Sequence, residues 1–211
     1  MREIYLLSGL GADKRLFEFI DWSGFKINHV DWIDPLDNES IESYAKRLLT
    51  QIGVKRPTLI GVSFGGMMSV EIAKLIETDK VILISSARTK FDIPLSYRIG
   101  GQLRLNRLIP VRFLKAVNPL TFWFFGTKTE PHKKLLAAII NETNNKFLKW
   151  AVDKIVNWRN TTRLANLVHI HGTLDKILPM KAVDHKIHEG GHLMIMDRGD
   201  ELVELIRKIL N

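Results

Sequence analysis

The 211-residue chain contains no cysteine, which excludes disulfides, thiolate metal sites and a cysteine nucleophile. Its apolar runs fall well short of the ~20 residues that a membrane-spanning helix needs. The opening Met1-Arg2-Glu3-Ile4-Tyr5-Leu6-Leu7 enters a strand pattern directly, with no secretory apolar region and small-residue cleavage site. No transmembrane segment is expected, and a cytoplasmic location is the default. The phosphate-cradling pattern G-x-x-x-x-G-K-[ST] does not occur, and the seven histidines lack H-E-x-x-H spacing. Gly9-Leu10-Gly11 lacks the third glycine of a dinucleotide fingerprint. Neither a cofactor nor a metal is therefore expected. There is also no internal repeat, low-complexity tract or Pro/Gly/Ser-rich linker, and the length suits one domain with a sizeable core.

Acidic residues are scarce in one region only. Residues 88–165 hold 15 Lys/Arg against 4 Asp/Glu, whereas the rest of the chain holds 16 against 19, so the net charge of +8 belongs to that segment. No nucleic-acid reading motif accompanies these cations, and no nucleic-acid partner is expected.

Glu3 to Leu7, Lys26 to Trp32, Pro57 to Val62, Lys80 to Ser85, Leu167 to Gly172 and a last stretch, Val183 to His188, read as short strands, most of them rich in apolar residues. Helical patterns separate them: Asp13 to Phe19, an amphipathic stretch opened by Ser40 with Ile41, Tyr44, Ala45, Leu48, Leu49 and Ile52 at helical spacing, Met67 to Ile76, a short helix near Met180, and Asp200 to Leu210. Apolar strands alternating with helices predict an α/β fold with a mostly parallel sheet of about six strands flanked on both faces. The alternation stops between Arg88 and Ala165, where the pattern is helical, basic and aromatic. This segment is expected to be a helical cap, 88–165, inserted into a core formed by 1–87 and 166–211.

The chemistry centres on Gly61-Val62-Ser63-Phe64-Gly65. A strand pattern stops at Ser63 and a helix pattern starts at once, so the serine occupies a sharp strand-to-helix turn, and side chains at either flanking glycine would collide with the neighbouring elements. A serine hydroxyl needs a base, and the base needs a carboxylate to fix its tautomer. Two late strand ends supply them: His171-Gly172-Thr173-Leu174-Asp175, and Glu189-Gly190-Gly191-His192. Asp92 is the alternative acid; His171 is expected to brace the Asp175 loop, and His188 to end its strand.

With these residues in the order Ser63, Asp175, His192, in G-x-S-x-G, H-G-x-x-D and G-G-H contexts, the chain resembles the α/β-hydrolases. The resemblance covers the whole chain and implies a catalytic triad of those three residues. It also implies an oxyanion hole from the backbone N–H groups of Phe64 and Leu10. Ser8-Gly9 stands where that family often has His-Gly, which changes how the loop is braced. Serine as nucleophile argues against a haloalkane dehalogenase.

The expected reaction is hydrolysis of a carboxylic ester or thioester through an acyl-serine. The alternatives are a slow or non-catalytic binding module, and a C–C hydrolase or lyase on the same triad. Phe122, Trp123 and Phe125 are candidates for an apolar substrate pocket, with cap packing as their competing role. The basic cap raises an anionic small molecule such as an acyl-CoA, or an acidic lipid surface, as a partner; the competing reading is a solvated basic face. The sequence leaves the oligomeric state open.

Overall fold

A computed structural model of the chain describes residues 2–211. Six strands, β1 (Arg2–Leu7), β2 (Phe25–Val30), β3 (Thr58–Val62), β4 (Lys80–Ile84), β5 (Leu167–Gly172) and β6 (His185–Ile187), form one sheet in the order β2-β1-β3-β4-β5-β6. Every neighbouring pair is parallel. The strands are apolar on both sides because both faces are covered, and alternate residues serve different cores. Ile4, Leu6, Ile60, Val62, Ile82 and Ile84 face one core. Tyr5, Leu7, Leu59, Val81 and Leu83 face the other.

The second core is closed by α1 (Ile41–Leu48) and α2 (Phe64–Ala73), which contribute Tyr44, Leu48, Met68 and Ile72. Ser40 caps α1 by accepting the Ser43 N–H, at 3.1 Å. After β4 the chain runs through six helices: α3 (Leu95–Gln102), α4 (Leu105–Leu108), α5 (Val111–Leu114), α6 (Pro119–Phe125), α7 (Glu130–Glu142) and α8 (Asn145–Val156). This stretch is not detached from the sheet layers: α7 sends Leu136 and Ile139 into the first core, and α8 sends Phe147 and Ala151 into the second. Two helices follow β6, α9 (Met194–Asp197) and α10 (Gly199–Leu210), and Leu202, Val203, Ile206 and Leu210 of α10 close the first core.

Two expected elements differ. No helix forms near Met180. There Asp175 Oδ1 takes the N–H groups of Ile177 and Leu178, each at 2.9 Å, and Pro179 disfavours helical backbone at the residue before it. The last strand is also shorter than its expected span, Val183 to His188, because β6 pairs with β5 over only three residues at the sheet edge.

Candidate active site

Ser63 sits between β3 and α2 with φ 53° and ψ −119°, a strained conformation for a residue with a side chain. Three features hold it. The Ser63 N–H donates to the Ile84 carbonyl at 2.9 Å, and the Ser86 hydroxyl donates to the Ser63 carbonyl at 2.6 Å. A Cβ at Gly65 would overlap the carbonyls of Leu7 and Ser8, and one at Gly61 would overlap the backbone of Gly65 and Gly66, so both must be glycine for the turn to close.

The ends of β5 and β6 bring the other two residues to this turn. His192 Nδ1–H donates to Asp175 Oδ2 at 2.8 Å. With that proton on Nδ1, Nε2 is the acceptor and takes the Ser63 hydroxyl at 2.8 Å. Asp175 and His192 are both buried, 5% and 2% exposed, whereas Ser63 is half-buried at the surface of a cavity. Burial alone would raise the Asp175 carboxyl. The attraction to His192 when that ring is protonated, hydrogen bonds from His171 and His192, and the Leu178 N–H outweigh it and hold the group far below the ordinary carboxylate range. Asp175 is therefore anionic near neutral pH, and the proton it shares with His192 stays on the imidazole.

Behind Asp175 lies a second buried pair. His171 Nε2–H donates to the Leu178 carbonyl at 2.7 Å and lies 3.1 Å from Asp175 Oδ2. A carbonyl can only accept, so His171 Nδ1 is the acceptor for His169 Nε2–H, at 3.0 Å. Burial, then the neighbouring His171 and Arg88, push His169 down to about 3, so it is neutral.

Neither the Leu10 nor the Phe64 N–H donates to any group among the described residues. The loop after β1 passes close to the Ser63 turn, since a Cβ at Gly9 would lie 3.5 Å from Ser63 Cβ. Trp32 Nε1–H anchors that loop by donating to the Gly9 carbonyl at 3.2 Å, and Ser8 hydrogen-bonds the Ala12 carbonyl. Asp13 caps the 3₁₀ turn Lys14–Phe17 and pairs with Arg15. Asp92 accepts the N–H groups of Arg88 and Thr89 at 2.8 and 3.0 Å, a loop-bracing role, while His192 pairs with Asp175. His188 is exposed at the end of β6.

Ser63 and His192 open into a cavity of about 530 Å³ between the sheet edge and α3–α8. Its walls include Leu16, Phe113, Leu120, Leu136, Ile139 and Leu193, and no Asp, Glu, Lys or Arg among the described residues lines it. Of the three aromatic candidates, Phe125 lines the cavity and sets its ring edge against His192, centroids 5.8 Å apart. The Leu193 N–H also donates to the Phe125 carbonyl at 3.1 Å, tying α6 to the histidine loop. Phe122 instead packs on the first core, and Trp123 is 56% exposed with Lys176 Nζ 4.5 Å from its ring centroid. Phe124, in the same aromatic run, also lines the cavity.

The architecture is shared with solved structures over essentially the whole chain. An esterase from Thermogutta terrifontis superposes with TM-score 0.71 at 15% identity, covering 100% of this chain and 89% of that one. A lipase described as putative, from Acinetobacter baumannii, gives TM-score 0.74 at 16% identity, covering 99% and 83%. A bromoperoxidase from Bacillus anthracis gives 0.68 at 15% identity, covering 99% and 91%. The chain has the α/β-hydrolase fold. No protein-family model and no curated protein sequence matches it.

Proposed function

We propose that the protein is a serine hydrolase that cleaves an ester with an apolar acyl or aryl group. Residues 88–165 act as the cap over a core of 1–87 and 166–211. The observation that carries this reading is the continuous hydrogen-bonded line from Ser63 Oγ through His192 to ionised Asp175, ending at an apolar cavity without a charged wall. The esterase and lipase likenesses at the level of the fold accord with it.

His192 Nε2 takes the Ser63 proton as Oγ attacks the substrate carbonyl carbon, and Asp175 stabilises the imidazolium that forms. The unpaired N–H groups of Leu10 and Phe64 hold the oxyanion. As the tetrahedral adduct collapses, His192 returns the proton to the departing alcohol or thiol and leaves an acyl-serine. Water then attacks that ester with His192 as base, and the acid is released. In a thioester of an anionic carrier, the carrier would lie outside the uncharged cavity, against the basic cap.

Reaction with a fluorophosphonate, with the adduct located by peptide mass spectrometry, tests the reading. Stoichiometric modification of Ser63, absent in Ser63→Ala, is expected. A folded protein that stays unmodified would refute an activated nucleophile and leave a ligand-binding module on this fold as the better account.

A further inference from the structure

The exposed large apolar side chains are not scattered: all except Leu36, Leu75 and Leu174 fall between Phe91 and Phe124. Over residues 93–129 there is no Asp or Glu, and the cations are Arg98, Arg104, Arg107, Arg112, Lys115 and Lys128. Among the described residues, only Arg107 of these is ion-paired, with Asp153 at 3.5 Å. α3 and α4 pack on α8, and outward from that contact stand Leu95 (63% exposed), Leu103 (64%), Leu105 (49%) and Leu108 (77%). Tyr97, Phe113, Leu120 and Phe124 belong to this exposed set and also line the cavity that holds Ser63, so the patch is continuous with the cavity rim.

We infer that α3–α6 dock on an anionic lipid surface, with the cavity mouth facing the bilayer. Leucine and aromatic side chains interspersed with unpaired arginines suit the boundary between acyl chains and phosphates, where long basic side chains reach the headgroups. A second copy of the chain fits less well. A two-fold contact would set this acid-free surface against itself, arginine facing arginine. Among the described residues no helix is long and apolar enough to cross a membrane, so the attachment is to a surface. Access of a lipid-borne ester to the cavity rests on the hydrolase reading above; the docking itself does not.

The test is flotation of Ser63→Ala protein, which binds without turnover, on phosphatidylcholine vesicles with and without phosphatidylglycerol. Binding is expected only with phosphatidylglycerol and should fall in high salt. In the same background Arg104→Gln/Arg112→Gln is expected to weaken it roughly twentyfold, from about fivefold per arginine near an anionic surface. Leu103→Gln/Leu108→Gln should weaken it about tenfold or more. These positions are exposed, and an unchanged thermal melt shows that each variant is folded. Absence of flotation on phosphatidylglycerol vesicles, or wild-type binding by both folded variants, would overturn the proposal. Self-association of the parent protein that Leu103→Gln/Leu108→Gln abolishes would overturn it in favour of a second copy on this face.

Discussion

The cavity makes a quantitative prediction about acyl length. Its volume is about 530 Å³. A methylene occupies about as much room as a water molecule in the liquid, ~30 Å³, so roughly 17 such groups of acyl and alcohol together fill the space. Each methylene moved from water into an apolar wall is worth ~0.8 kcal/mol, or about fourfold in kcat/KM when the contact persists in the transition state. From acetate to octanoate, six methylenes at full burial give ~5 kcal/mol, an increase of about 4 × 10³. The assay is a series of p-nitrophenyl esters from C2 to C16, each held below its micelle concentration. We expect kcat/KM to climb through C8 and to level off only as the volume is exhausted. Ile140→Trp, which places a larger side chain in the cavity wall, should move the plateau to shorter chains. Because no charged side chain lines the cavity, the profile for these neutral esters should hardly change with salt. A maximum at acetate or butyrate followed by decline, with Ile140→Trp indistinguishable from wild type, would show that the acyl chain does not enter this space.

Further outcomes follow from the same geometry. Ser63→Ala and His192→Ala should each lower kcat by about 10³ to 10⁶, and the double variant should be little worse than either; multiplicative losses in steady-state assays would mean that the two do not act as a unit. Gly65→Ala, whose methyl meets the fixed carbonyls of Leu7 and Ser8, should cost about 3 kcal/mol and lower Tm by roughly 6–12 °C, whereas an unchanged melt would contradict the close approach. His169, neutral in the fold down to about pH 3, regains a value near 6.5 on unfolding, so the unfolded chain binds the extra proton and stability falls as pH drops below ~6.5, by about 1.4 kcal/mol per unit. Urea unfolding between pH 6.5 and 4.5 should show that slope, and His169→Gln should remove His169's share of it; an unchanged slope would contradict the buried neutral state.

Strand positions were legible because a parallel sheet covered on both faces needs continuous apolar runs, and Ile4 to Leu7 or Val81 to Ile84 admit little else. The turn at Ser63 was legible because backbone crowding forbids a side chain at Gly61 and Gly65. The cavity wall was not. In Phe122-Trp123-Phe124-Phe125 successive residues of α6 point ~100° apart, so Phe122 and Phe125 reach the core, Trp123 meets solvent and Phe124 and Phe125 line the cavity, and composition carries no mark of which is which. The absence of a helix near Met180 was equally hidden, since it follows from a carboxylate oxygen that binds two backbone N–H groups only once the loop is closed.

That loop also supports placing the acid of the proposed triad after β5. A buried carboxylate next to a histidine that must accept a proton would itself protonate unless other donors hold its charge. Asp175 has them: the Ile177 and Leu178 N–H groups on one oxygen, His192 and His171 on the other. His171 is fixed in turn by the Leu178 carbonyl and by His169, which lies on the same strand two residues away and whose N–H donates to Asp184 at 2.7 Å. Asp92, the other acid weighed, spends one oxygen on its own loop and has no such partners. The strand end that carries Asp175, the acid of the proposed triad, is therefore the one whose His171 reaches the loop and, held from behind by His169, helps keep its carboxylate charged.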